Sequence, residues 1–138
     1  QTGANVAGLE SIRTSEVVPV DLNSIMYRNE RTLQRLYTMY ANLISQAGIP
    51  SQSNSQALSQ NERAPAAVAA ADEALIKAER YRLAATARVE AMSKYMWDGK
   101  SGFWRDVELQ DGRQLQTVSL ACFSPLWANA HNAEQADA

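Results

Sequence analysis

The chain of 138 residues is long enough for one domain with a buried core, and no apolar run approaches the roughly 20 residues that a membrane-spanning helix needs. Hydrophobic residues make up 46% and charged residues 20%, which is ordinary for a soluble globular protein. Thirteen basic and fifteen acidic side chains give a net charge of −2, which disfavours nucleic acid and anionic membranes as partners.

The first predicted element is a helix that the chain enters from an extended segment. Pro19 has a fixed φ and keeps the residue before it out of the helical region, so residues 12–20 are predicted to be extended. Asp21 is predicted to cap the helix, because its carboxylate can accept hydrogen bonds from the free N–H groups of the first turn. Val20 and Ile25 have the spacing of a hydrophobic staple around that cap.

One long apolar stripe follows, with the spacing of three and four residues that marks a single helical face. Its members are Leu22, Ile25, Met26, Leu33, Leu36, Tyr37, Tyr40, Leu43 and Ile44. Asn29 is the one polar residue on this stripe, and Gly48 with Pro50 is predicted to end the helix.

The next segment, 51–64, is rich in serine, glutamine and asparagine and has no periodicity, which predicts a loop. Pro65 is tolerated at the first position of a helix and is predicted to open the second one, Ala66 to Trp97. This helix is rich in alanine and in charged helix formers, so we expect it to pack closely against neighbouring helices.

A small β-hairpin is predicted after the second helix. Residues 103–109 alternate and form its first strand, Asp111 and Gly112 give a strong turn signal, and residues 114–118 return as its second strand. The alternation places Phe103, Arg105, Val107 and Leu109 on one side and Trp104, Asp106 and Glu108 on the other.

A third helix is predicted to begin with Ser124 as its cap and Pro125 at its first position. It leads into a tail, 132–138, that has no stop signal. Cys122, just before this helix, is the only cysteine, which excludes an internal disulfide. Its apolar neighbours favour a buried structural thiol over a nucleophile.

These elements do not form a self-contained core. Two long helices, one hairpin and the start of a third helix cannot cover two helical stripes and three tryptophans. At about 25 cal/mol per Å² of apolar surface, half-exposed tryptophans alone would forgo several kcal/mol, which is comparable with the stability of a small domain. The sequence therefore predicts a section of a larger helical protein.

Three motifs in this order resemble the trehalase family of glycoside hydrolases. They are residues 14–23 (Thr-Ser-Glu-Val-Val-Pro-Val-Asp-Leu-Asn), residues 81–98, which end an arginine-containing helix with an aromatic pair, and residues 124–128 (Ser-Pro-Leu-Trp-Ala). A hairpin with a Gly-aromatic pair lies between the last two. The resemblance covers about residues 12–130, except for 46–64, where this chain has a longer connection than the family usually shows.

The resemblance implies an (α/α)6 toroid of inner and outer helices, of which residues 1–138 would supply about one and a half pairs as part of the catalytic domain, with 51–64 as an inserted loop. It implies hydrolysis of the α,α-1,1 bond of trehalose to two glucose molecules by inversion, without a metal or organic cofactor. The family's general acid lies in a Gly-Trp-Asp-Phe-Ser-Ser-Arg-Trp-like motif. We expect this motif, and the arginines that clamp the sugar, before Gln1. The general base is expected beyond Ala138.

No catalytic, cofactor-binding or metal-binding residue is therefore assigned within the chain, and alone it is expected to be inactive. Asp21 is interpreted as a helix cap, and Glu30 as part of a solvated face. Asp106 and Glu108 are expected to have a structural or rim role, although beside Trp104 they could mimic a sugar platform with acids.

The remaining polar and aromatic candidates give weaker signals. Asn23 and Asn29 could reach toward a cleft. His131 has no serine, cysteine or second histidine at a useful spacing, which argues against a triad or metal site. Trp97 and Trp127 are expected to be core anchors, whereas Trp104 is compatible with either the core or sugar stacking.

Two other hypotheses stay open from the sequence. One is a section of another (α/α)6 glucosidase. The upstream coding sequence would distinguish it from a trehalase, because a trehalase should show the acid-containing motif within about twenty residues of Gln1. The other is a non-catalytic helical interaction module, for which a cooperative and well-protected monomer would be expected in hydrogen exchange.

Overall fold

The computed structural model describes residues 14–47 and 60–137. Its helices are α1 (Val20–Ala47), α2 (Gln60–Ala91), α3 (Ser124–Ala128) and α4 (Ala133–Ala136). Its strands are β1 (Val17–Val18), β2 (Trp97–Asp98), β3 (Phe103–Trp104) and β4 (Val107–Glu108). Short 3-10 turns at Thr14–Glu16 and Leu120–Phe123 and a π-helical turn at Met92–Met96 connect them.

The helices α1 and α2 pack side by side in opposite directions. Ala41, near the end of α1, clusters with Ala71 and Ala74 in the first half of α2. Midway along the pair, the rings of Tyr37 and Tyr81 stack at 5.8 Å between centroids. The small alanine side chains let the two backbones approach closely, which confirms the close packing predicted for the second helix.

The main core lies at the end of this helix pair where α1 begins and α2 ends. Its buried members are Val20, Met92, Met96, Trp104, Val107, Ala128 and Ala130. Trp97 packs against this cluster, and its ring lies 4.4 Å from that of Trp104 between centroids, which confirms Trp97 as a core anchor. Cys122 is buried, as predicted.

The predicted apolar stripe of α1 is largely exposed. Leu36 keeps 54% and Leu43 keeps 62% of its surface accessible, because α2 covers a different face of α1. That covered face includes Ser24, Glu30 and Ala41. Trp127, which was expected to be a core anchor, is 57% exposed and belongs to no core among the described residues. The described residues leave their own most apolar helical surface largely uncovered.

The second helix differs from its prediction at both ends. It begins at Gln60, so Pro65 lies inside it rather than opening it. A proline this near the N-terminus removes one helical hydrogen bond and leaves the rest of the helix intact. It ends at Ala91, and the turn Met92–Met96 redirects the chain into β2. Gly48, Pro50 and residues 51–59 of the predicted loop lie outside the described residues.

The strands pair differently from the predicted hairpin. β2 pairs with β3 across the turn at residues 99–102, and β4 pairs with β1, with Val17 opposite Glu108 and Val18 opposite Val107. The expected strand over 103–109 is therefore interrupted, and the expected strand over 114–118 is reduced to one bridge at Gln114.

The returning segment is held by two backbone hydrogen bonds of 2.8 Å, from the N–H of Glu108 to the Arg113 carbonyl oxygen and from the N–H of Leu115 to the Asp106 carbonyl oxygen. Buried Arg105 adds a side-chain hydrogen bond, since its Nη1 donates to the carbonyl oxygen of Gln116 at 3.1 Å. The turn predicted at Asp111 and Gly112 is confirmed. Gly112 has a φ of 71°, and its N–H donates to the Glu108 carbonyl oxygen at 2.9 Å.

The third helix is one short segment. Ser124 is its first residue rather than its cap, and Ser119 instead accepts a hydrogen bond from the N–H of Ala121 to cap the preceding 3-10 turn. Asn129 ends α3 with a φ of 57°. The tail that was predicted without a stop then forms α4, which begins with a capping box between Asn132 and Gln135.

None of the described helices is both long and apolar enough to cross a membrane. Two long antiparallel helices, the beginning of a third and small antiparallel strand pairs make the fold mainly α, which confirms the predicted class, a section of an (α/α)6 toroid.

Candidate functional site

The polar groups of the structure converge where α1 begins. Pro19 to Asn23, Arg88 near the end of α2, and Asp106 before β4 lie together there, and we call this group the α1 entrance. Three parts of the sequence meet at it because α2 runs antiparallel to α1 and β4 pairs with β1. It is the part of the described chain in which sequence-predicted polar candidates lie close together.

Asp106, rather than Asp21, caps α1. The N–H of Val20 donates to Asp106 Oδ1 at 2.8 Å, while the N–H of Asn23 donates to the Pro19 carbonyl oxygen at 3.3 Å. The helix thus begins at Val20, two residues earlier than a cap at Asp21 predicts. Asp21 lies exposed within the first turn and accepts only from the N–H of Leu22, at 2.6 Å, so the cap prediction for it is wrong.

A part-buried ion pair joins α1 to α2 beside this cap. Arg88 Nε donates to Glu30 Oε2 at 3.0 Å and Arg88 Nη2 to Glu30 Oε1 at 2.8 Å, a bidentate geometry. Glu30 is only 7% exposed, so the solvated face predicted for it is wrong. It lies on the side of α1 that α2 covers. The hydrogen bonds that Arg88 donates to the Glu30 carboxylate raise the pKa of Arg88 above its ordinary value.

Asn23 extends this pair to the backbone of the entrance. Its Oδ1 accepts from Arg88 Nη1 at 2.8 Å, and its Nδ2 donates to the Pro19 carbonyl oxygen at 2.8 Å. Asn23 also lines a small cleft of about 160 Å³ with Val18, Met92 and Val107. Asn23 therefore reaches a cleft, as expected, whereas Asn29 is exposed and is not among the residues that line it.

The carboxylates of the hairpin region have structural partners. Glu108 Oε2 accepts from Arg113 Nη2 at 2.7 Å, and the N–H of Leu109 donates to the Glu16 carbonyl oxygen at 2.7 Å. Asp106 is engaged with Val20, so the two acids bind different parts of the chain. This geometry agrees with the structural role expected for Asp106 and Glu108.

The turn between β2 and β3 is held by Asp98 and Arg105. Asp98 accepts from Ser101 Oγ at 2.7 Å and from the N–H of Lys100 at 3.1 Å. The hydrogen bond from Ser101 is the largest cause that lowers the pKa of Asp98 below its ordinary value of 3.8, and the hydrogen bond from Lys100 is the next. Arg105 Nη2 donates to Ser101 Oγ at 3.0 Å, so the turn is fixed from both sides.

Trp104 is a core residue. It is 2% exposed and packs against Trp97, which removes it from any position in which a sugar could stack on it. Trp127 instead lies at the surface with the Arg28 guanidinium carbon 4.3 Å from the ring centroid. Trp104 thus takes the core position, one of the two environments that the sequence allowed for it, whereas Trp127 does not take the core position expected for it.

His131 lies 3.4 Å, at Nδ1, from the Pro125 carbonyl oxygen. Within residues 14–47 and 60–137, no group of three or more histidine, cysteine or acidic side chains is placed to hold a metal ion.

Sequence reasoning missed Arg88. Its signal is indirect: Asn23 and Glu30 are seven residues apart on the face that carries Val20 and Ala41, and a buried acid on such a face requires a cation from a neighbouring element.

Comparison with known proteins gives a consistent result. A family profile described as Trehalase matches residues 1–138. The periplasmic trehalases of Salmonella paratyphi A, Salmonella agona and Salmonella choleraesuis are each 31% identical over 126 residues, which is 91% of this chain and 16% of the relative. The chain thus spans about one sixth of the length of the curated relatives it matches. On the match of the family profile over all 138 residues, the chain belongs to the trehalase family.

Proposed function

We propose that the polypeptide to which this chain contributes hydrolyses the α,α-1,1 bond of trehalose and releases two glucose molecules. The observation that carries this proposal is the match of the trehalase family over residues 1–138. The relatives named periplasmic trehalase support the same substrate. Neither a metal nor an organic cofactor is part of the proposal.

The proposed mechanism is inversion. An inverting glycosidase holds two carboxyl groups roughly 6.5–9.5 Å apart, so that one protonates the leaving oxygen while the other activates a water molecule on the opposite face of the sugar. We place both carboxyl groups outside this chain. The proposal is supported by the partners of the local acids, since Asp106, Glu30 and Glu108 are each bound to a backbone N–H or an arginine.

In this proposal residues 1–138 are part of the catalytic domain and residues 51–64 are an insertion, of which residues 60–64 form the start of α2. The exposed apolar stripe of α1 supports the first statement, because Leu36 and Leu43 would be covered by neighbouring helices of the toroid. The α1 entrance would then fix the start of one inner helix relative to the loops that surround the sugar.

The first test is a trehalose hydrolysis assay on the complete polypeptide and on the 138 residues alone. We expect turnover from the complete polypeptide and none from the isolated chain. Turnover by the isolated chain that is lost in Asp106→Asn and kept in Asp111→Asn would contradict the placement of the acids. Preference of the complete polypeptide for another glucoside would favour the alternative of a related (α/α)6 glucosidase.

The second test follows the anomers of the product. Inversion at one ring of trehalose releases one β-glucose and one α-glucose, whereas retention releases two α-glucose molecules. Proton NMR during the first minutes of hydrolysis, before mutarotation mixes the anomers, should show equal amounts of the two. An early excess of the α-anomer well beyond equality would rule out the inverting mechanism.

A further inference from the structure

A cleft of about 300 Å³ lies between α1 and the end of α3 and shares no lining residue with the α1 entrance. Arg28, Arg31 and Arg35 line it from α1, and Ala128 and Asn129 line it from the other side. The arginines are three and four residues apart, a spacing that places their side chains on one helical face. Three arginines therefore line one small cleft.

The charge of these arginines is not compensated by the residues that the structure describes. Among the described residues no carboxylate lines the cleft, and their arginine ion pairs involve Arg82, Arg88, Arg105 and Arg113. Glu30, which precedes Arg31 in sequence, is bound to Arg88 on the α2 side of the helix. Like charges at this spacing destabilise a helix, and an anion in the cleft would remove that cost.

Two of the three groups are already oriented. Arg28 Nη1 donates to the Trp127 carbonyl oxygen at 3.1 Å, and its guanidinium lies over the Trp127 ring. Arg31 Nη1 donates to Gln34 Oε1 at 3.0 Å. Arg35 is exposed and makes no side-chain hydrogen bond or ion pair with the described part of the chain, so that part of the chain occupies none of its donors.

We propose that this cleft binds an oxyanion, a phosphate or a carboxylate, through the guanidinium groups of Arg31 and Arg35. The planar fork of donors on arginine matches two oxygens of either group, and such charge-assisted pairs are stronger than neutral hydrogen bonds. Arg28, fixed against Trp127, adds a third positive charge.

The oxyanion has two possible sources. One is a free small molecule that carries a phosphate or carboxylate group. The other is an aspartate or glutamate side chain from another segment of the complete polypeptide, and this source rests on the proposal that the chain is one section of a larger domain.

The test compares Arg35→Gln with Arg80→Gln in the complete polypeptide. Each substitution removes one exposed cation from a long helix, and neither arginine has an ion-pair partner within the described residues. Inorganic phosphate is titrated by calorimetry at constant ionic strength, and thermal unfolding is followed with and without phosphate. Arg35→Lys is included because lysine keeps the charge but lacks the fork.

If the ligand is a free oxyanion, we expect Arg35→Gln to weaken phosphate binding about tenfold and Arg35→Lys not to restore it. Arg80→Gln should change phosphate binding by less than about twofold. If the ligand is a carboxylate from another segment, we expect Arg35→Gln to lower the unfolding temperature more than Arg80→Gln does. The difference between the two variants should then be the same with and without phosphate. Equal behaviour of the two glutamine variants in both measurements overturns the proposal. Trehalose hydrolysis by the same samples reports separately on the proposed function.

Discussion

Arg88 donates hydrogen bonds to both carboxylate oxygens of Glu30 and to the side chain of Asn23, so a single side chain of α2 holds two turns of α1. Arg88 and Glu30 are 58 positions apart in the sequence. Nothing local to Glu30 indicates this partner, and its neighbours Arg31 and Gln34 suggested a solvated face. The burial of Cys122, in contrast, was predictable because its own sequence neighbours are apolar.

The ion pair predicts an asymmetric response to mutation. Glu30→Ala should lower the free energy of unfolding of the complete polypeptide by about 2–3 kcal/mol, because it leaves Arg88 largely buried without its anion. This is below the range for fully buried pairs, since the Arg88 side chain keeps 25% of its surface exposed. Denaturant unfolding measures the change.

The exposed pair of Glu79 and Arg82 on α2 is the matched control. Glu79→Ala should cost less than about 1 kcal/mol, as surface pairs do. Similar costs for the two glutamate variants would show that the Glu30 pair is not shielded from water.

At the scale of elements, those with strong local signals were predictable and those that depend on distant pairing were not. The 3–4 periodicity of α1 and the turn at Gly112 act over a few residues, and both are present. The strand pairing depends on which segment forms hydrogen bonds with each edge of β4. One edge of β4 pairs with β1, which lies far from it in the sequence. The same pairing brings Asp106 to Val20, so the helix is capped by a residue 86 positions away.

The cap assignment predicts different effects at the two aspartates. Asp106→Ala should lower the free energy of unfolding by about 1–2 kcal/mol, because it leaves the first N–H of α1 without its acceptor. Asp21→Ala should cost only a few tenths of a kcal/mol, since that carboxylate acts mainly through the helix dipole. Asp106→Asn, which keeps an acceptor oxygen, should retain most of the stability.

Denaturant unfolding of the complete polypeptide measures all three variants. A larger loss from Asp21→Ala than from Asp106→Ala would return the cap to Asp21, as the sequence predicted.

At the scale of the whole molecule, the described residues cover the most apolar face of α1 only in part: Leu36 and Leu43 stay more than half exposed, whereas Tyr37 packs against α2. The sequence predicted that the elements of this chain could not cover two helical stripes and three tryptophans. The stripe of α1 and Trp127 are largely exposed, but Trp104 is buried and Trp97 packs against the core, so the prediction fails for these two tryptophans. The uncovered stripe was predictable because total apolar area follows from composition and periodicity. The sequence could not predict that α2 would cover the face with Ser24 and Glu30 instead, since that choice depends on Arg88 and the alanines of α2.

Leu36 tests whether this face is covered in the complete polypeptide. We expect Leu36→Ala to cost about 2 kcal/mol or more there, although Leu36 is 54% exposed in this chain, because neighbouring helices would bury it. Met92→Ala, at a position 1% exposed, gives the reference cost for a residue that is buried in either case. A cost below about 0.5 kcal/mol at Leu36 would mean that this face stays open to water.

The pairing of β1 with β4 also has a consequence for synthesis. Translation proceeds from the N-terminus, so the segment around Val18 leaves the ribosome long before Val107 does. Until then Val20 lacks the carboxylate of Asp106, and the first turn of α1 must wait for most of these 138 residues to be made before it acquires its permanent acceptor. The nascent chain therefore presents an unfinished helix start throughout the emergence of α2.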